Sequence, residues 1–259
     1  MIKKVIKITL VFSIVLTMTN AIEIKSPTQA VNIAGKQRMF TQRMLKDYAM
    51  IGMKNSFGNP DEDLKSIMNE FENHMESLLA FTKNDITKKS LDETKILWYP
   101  IKLVLNDLPS IDKVAKLQED LETLLKAAND ATKLFAKDSG RESAEIVNIS
   151  GRQRMLSQRM ASLYMLKVWG VNDPKFKTKL DDAMNLFKIS IKKLEVSVLS
   201  TDEIKVVLRK VKRSFMFFEM MNKKNSTRYI PTLIYKKSND MLVNMNDVTM
   251  KYVANETKK

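Results

Sequence analysis

Apolar residues recur along this chain at steps of three and four. Leu117, Leu121, Leu124, Leu125 and Ala128 mark one buried face of a helix. Punctuation is sparse, with six glycines and six prolines in 259 residues, which favours long helices over strands and tight turns. Ser26-Pro27, Asn59-Pro60 and Asp173-Pro174 each set a capping side chain before a proline suited to a first helical turn. Ser110 and the run Ser200-Thr201-Asp202-Glu203 offer two further starts. The pattern predicts helices over 27–56, 60–82, 87–106, 110–137, 141–169, 174–199, 202–223 and 228–255. Pro100 is expected to kink or split the third. Short connections make sequential helices antiparallel, so the expected fold is all-α and up-and-down.

The chain also repeats itself. Residues 31–44 read VNIAGKQRMFTQRM and residues 147–160 read VNISGRQRMLSQRM, an offset of 116. Asn129-Asp130-Ala131-Thr132 returns as Asn246-Asp247-Val248-Thr249 at an offset of 117. A duplication of this span predicts two tandem antiparallel four-helix bundles, over 22–138 and 139–259, after an N-terminal segment 1–21. Gly140 either ends a helix between the halves or sits inside one continuous helix.

On a helical wheel Asn32, Gly35, Arg38, Met39 and Gln42 share an arc of about 120°. Asn148, Gly151, Arg154, Met155 and Gln158 do the same in the second half. Arg43 and Arg159 lie near the Asn edge, and Ile33, Phe40 and Met44 form an apolar side. No acid stands three or four residues from Arg38 or Arg154, so neither has a local ion pair. Arg43 has Asp47 within reach, whereas its counterpart Arg159 faces Leu163. A guanidinium removed from water needs a partner, and its planar fork suits a carboxylate or a small planar oxyanion. Two sources remain open: a bound small anion oriented by Gln42, Gln158, Asn32 and Asn148, or Asp130 and Asp247 reaching across from the fourth helices. Gly35 and Gly151 let a ligand or another helix approach the backbone.

The pattern Asn-x-x-Gly-(Lys/Arg)-Gln-Arg-Met-x-x-Gln-Arg-Met resembles the first helix of the extracytoplasmic sensing module of PilJ-type chemotaxis transducers, which is similar to the input domain of NarX-type nitrate/nitrite sensor kinases. The resemblance implies a four-helix bundle and, in its NarX-like branch, an arginine that grips nitrate at a dimer interface. That role falls on Arg38 and Arg154, with Gly35 and Gly151 lining the approach and Arg43 and Arg159 as supports. It implies recognition without reaction: a small anion as ligand, a membrane sensor or chemoreceptor as partner, and a homodimer as the assembly to test. The family's usual second membrane span and kinase or methyl-accepting segment are not seen in this sequence.

Composition narrows the remaining classes. Lys3, Lys4 and Lys7, the apolar run from Ile8 to Met18 and the small-residue end Thr19-Asn20-Ala21 predict an export signal, or a tether if uncleaved. The expected location is therefore exported and periplasmic. The formal charge of +14 suits anionic surfaces or small anions, and export argues against nucleic acid. There is no cysteine, and His74 is the one histidine, so neither a metal site, a cofactor nor a Cys-His or Ser-His nucleophile is expected, and the protein does not read as an enzyme. Met216, Met220, Met221, Met241, Met245 and Met250 read as adaptable core filling rather than a thioether copper site.

Overall fold

The computed structural model describes residues 22–223 and 230–256, so the expected export segment lies outside the described residues. These residues are helical: α1 (Pro27–Gly52), α2 (Pro60–Phe81), α3 (Asp85–Asn106), α4 (Ile111–Ser139), α5 (Glu142–Trp169), α6 (Phe176–Val196), α7 (Asp202–Lys223) and α8 (Pro231–Glu256). No helix among the described residues is long and apolar enough to cross a membrane.

Most starts follow local chemistry. Ser26 accepts a hydrogen bond from the Gln29 amide and Pro27 fills the first turn of α1. Ser110 caps α4 by accepting from the Asp112 amide. Two expected caps differ. Asn59 takes a left-handed conformation (φ 56°) and makes no side-chain cap. Asp173 accepts from the Lys175 amide at 2.8 Å, which closes a turn and delays α6 to Phe176. Pro100 does not split α3: it sits on the solvent side, where the carbonyl it leaves unbonded can face water. Gly140 ends α4 in the left-handed region (φ 62°), and the chain turns back into α5 rather than running on as one helix.

Cross-links fix the directions. Arg43 to Asp63 and Gln37 to Phe71 run in opposite senses along α1 and α2, so these two are antiparallel. The same reasoning makes α4 antiparallel to α1, and α8 antiparallel to α5. The main packing partners of α1 are α2, α4 and α5, and those of α5 are α1, α6 and α8, while α3 and α7 lie outside on α4 and α8. Pairs between α1 and α5 climb together: Arg38 with Asn148, Gln42 with Ser162, Tyr48 with Trp169. The two motif helices are therefore parallel, side by side at the centre of the molecule. The Trp169 ring lies on Gly52, where an added Cβ would come within 2.1 Å of it.

The core is continuous across both halves, from Phe40, Phe71 and Trp98 to Phe187, Phe215 and Tyr252. Met241 and Met245 belong to it, but Met216, Met220 and Met250 are exposed, which corrects the core-filling expectation for those three. A tyrosine pins each fourth helix at its start: the Tyr48 hydroxyl accepts from the Ser110 amide at 3.2 Å, and the Tyr164 hydroxyl from the Ile230 amide at 2.8 Å. These tyrosines are 116 residues apart, the offset of the motif.

Candidate functional site

Arg38 and Arg154 have no exposed surface and are the two largest fully buried side chains among the described residues. Each is placed by the seam of its helix, which faces the other motif helix rather than solvent. Arg38 donates from Nη1 to Asn129 Oδ1 at 3.0 Å and from Nη2 to the backbone oxygen of Asn148 at 3.2 Å. Arg154 donates from Nη1 to Asn246 Oδ1 at 3.0 Å and from Nη2 to the backbone oxygen of Asn32 at 3.2 Å. The pattern is twofold and crosses from half to half.

The glycines explain how both guanidiniums fit. A Cβ on Gly35 would stand 3.2 Å from Arg38 Nη2 and 3.6 Å from Arg154 Nη2. On Gly151 it would stand 3.1 Å from Arg154 Nη2 and 3.5 Å from Arg38 Nη2. Both Nη2 groups thus converge over two bare stretches of backbone, where any side chain would crowd them.

All four acceptors are neutral. Among the described residues neither arginine has a carboxylate within ion-pair distance, and Nε of each has no hydrogen-bond partner. Burial pulls Arg38 well below the usual guanidinium range, to about 9, helped by Arg152 and Arg154, and pulls Arg154 down to about 10. Both remain cations at neutral pH. Buried like charges without a counterion are costly, and an anion between them would relieve that cost.

The structure sorts the sequence-predicted residues. It brings together Arg38, Arg154, Gly35 and Gly151, with Asn32 and Asn148 contributing backbone oxygens rather than side chains. The Asn32 amide instead donates to Met250 Sδ at 3.4 Å. Gln42 and Gln158 are buried a turn further on and bond Ser162 and Lys46, not the arginines. Arg43 pairs with Asp63 at 2.5 Å, not with its neighbour Asp47, and Arg159 donates from Nη1 to both carboxylate oxygens of Glu122 on α4 at 2.7–2.8 Å. Asp130 and Asp247 do not neutralise the pair. They lie on the outer side of α4 and α8, with Lys133 and Lys251 as partners. The residue before each acid is the one turned inward.

Asn129 and Asn246 are therefore the residues sequence reasoning passed over. The signal was present: Asn129 stands four after Leu125 on the buried side, while Asp130 is rotated a further 100° away. Lys46 was also missed. It is fully buried, donates to Gln158 Oε1 and Asn239 Oδ1 at 2.9 Å each, and lies 4.0 Å over the Tyr235 ring. Asp47, also fully buried, is 3.7 Å from it, and burial pushes this carboxyl up to about 7 against the pull of Lys46. Their counterparts are Ser162 and Leu163, so this charged pair exists in the first half alone.

No curated protein and no solved structure matches the chain. Residues 135–213 match the PilJ family, described as type IV pili methyl-accepting chemotaxis transducer N-term. That stretch holds α5 with the second copy of the motif, Gly151 and Arg154, so the part of the chain around this arginine resembles the N-terminal region of a chemotaxis transducer.

Proposed function

We propose that this is an exported, non-catalytic, sensor-type protein that holds one small oxyanion, nitrate-like in shape, between Arg38 and Arg154. In this reading residues 22–138 and 139–259 are two four-helix bundles, and each supplies one arginine to a site shared inside a single chain. The observation that supports it is the convergence of two buried guanidiniums on Gly35 and Gly151 with only neutral acceptors around them. A planar anion offers the negative charge and the in-plane oxygens that the forks lack.

Without the anion the two cations repel across the α1–α5 contact; with it they are drawn together. Binding would shift the packing of the halves, and a membrane sensor or chemoreceptor would read the shift. The similarity of residues 135–213 to a transducer input region supports the signalling side of the reading.

A second reading is a scaffold whose arginines are sufficiently satisfied from within. The four hydrogen bonds to Asn129, Asn246 and the two carbonyls favour it. A thermal-shift series with nitrate, nitrite, chloride and acetate separates the two. A ligand at one hundred times its Kd stabilises by about 2.7 kcal/mol, which Arg38→Ala with Arg154→Ala removes while helicity persists. Absence of any stabilising anion, or unchanged calorimetric binding in the double variant, leaves the scaffold.

A further inference from the structure

The helices α3 and α7 are related by an offset of 117, and their inward faces match in burial at every turn: Leu91 with Leu208, Thr94 with Val211, Trp98 with Phe215, Ile101 with Phe218. Their outward faces do not match in charge. Asp92, Glu93 and Ile96 on α3 become Arg209, Lys210 and Arg213 on α7. The reversal extends to the hairpins. Residues 60–106 carry six lysines against nine acids, and residues 176–223 carry eleven lysines and arginines against six acids.

On α7 the exposed Arg209, Lys210 and Arg213 share one arc of about 120° with Val206, Met216 and Met220. On α6 the exposed arc holds Ile189 and Val196 with Lys192 and Lys193. The two helices are antiparallel neighbours, tied edge to edge by Lys188–Glu219 at 3.2 Å and Lys212–Glu195 at 2.9 Å. Those ties consume the acids at the seam. Lys192, Lys193, Arg209, Lys210 and Arg213 have no ion-pair partner among the described residues.

From this geometry we infer that the outer face of the α6–α7 hairpin docks on an anionic lipid surface. A docking face for another protein concentrates apolar residues at its centre and keeps lysine out of it. Here cations and flexible apolar side chains alternate along the same stripe. That suits a headgroup layer, where Lys and Arg reach phosphates while methionine and valine enter the acyl boundary. The acidic α2–α3 hairpin lies at the opposite side of the α1–α5 pair, so the charge asymmetry also sets which side faces the lipid. This inference rests on the surface alone and is independent of the anion site.

The test is cosedimentation of the full chain with vesicles of roughly one part phosphatidylglycerol to three parts phosphatidylcholine, against phosphatidylcholine alone. Wild type is expected to bind the mixed vesicles, less so as salt rises, and not the neutral ones. Arg209→Glu with Lys210→Glu and Arg213→Glu should weaken binding roughly tenfold or more. Lys65→Glu with Lys88→Glu and Lys89→Glu makes the same change in net charge on exposed sites of the other half, and should leave binding within about twofold. Circular dichroism checks that both variants fold. Failure of wild type to bind, equal losses in both variants, or undiminished binding in the first would overturn the inference. So would sedimentation velocity showing that wild type self-associates without vesicles and the α7 variant does not, which would assign the face to a second copy.

Discussion

Arg154 donates from Nη2 to the backbone oxygen of Asn32 at 3.2 Å, in the other half of the chain. Arg38 returns the same bond to Asn148 at the same distance. Each motif helix thus uses its Asn-to-Gly stretch as the receiving surface for the other's guanidinium. This crossing holds the halves in parallel register, and it spends the arginines on neutral acceptors, leaving their charge uncompensated.

Asn129→Asp is the sharpest probe of that charge. It would set a carboxylate where an amide oxygen now stands 3.0 Å from Arg38 Nη1. The expected outcome is a higher melting temperature without ligand and a smaller or absent thermal shift on adding nitrate, because the counterion is already inside. Asp130→Asn and Asp247→Asn, whose carboxylates serve surface lysines, should change stability by less than about 0.5 kcal/mol.

Gly151→Ala tests the approach to the site. Its Cβ would stand 3.1 Å from Arg154 Nη2, which is held by a hydrogen bond to Asn32 and has little room to retreat. A loss of about 1–3 kcal/mol is expected, with anion response reduced further than stability, measured by urea unfolding and calorimetry. Gly52→Ala, which drives a methyl group into the Trp169 ring, should destabilise by a similar amount and leave anion response intact in the folded fraction.

Lys46→Met removes the cation beside buried Asp47 and should cost about 3–5 kcal/mol near neutral pH. The cost should shrink as pH falls, because Asp47 can then take a proton. Pairing it with Asp47→Leu removes both charges and should recover most of the loss. Denaturant titrations of the two variants at pH 6 and pH 8, roughly one unit either side of the Asp47 value, check both points.

His74 supplies an acid-side prediction. Burial, with Lys36 and Arg154 nearby, lowers it from 6.5 to about 3, so the folded protein keeps it neutral. Below pH 6.5 the unfolded chain binds a proton that the folded chain does not. Its contribution is therefore complete above pH 6.5 and declines as pH falls toward 3, by at most about 1.4 kcal/mol per pH unit. In His74→Leu this part of the slope should vanish, seen as a flatter stability-against-pH curve between pH 6 and pH 4; an unchanged curve would assign the slope to other groups.

Helix content, the eight segments and the repeat were legible in the chain because they rest on local periodicity and capping chemistry. Ser26, Pro27 and Ser110 act as their types dictate. Pro100 and Asp173 did not, because solvent exposure tolerated one and a tight turn claimed the other. The absence of an acid near Arg38 and Arg154 was also written in the sequence, as a consequence of residue spacing along one helix. Which distant group would answer those charges was not. That depended on α1 and α5 lying parallel and on the rotation of α4 and α8, which turn Asn129 and Asn246 inward and Asp130 and Asp247 out. A step of one residue rotates a side chain by about 100°, so a repeated Asn-Asp pair holds two opposite answers until packing chooses the face.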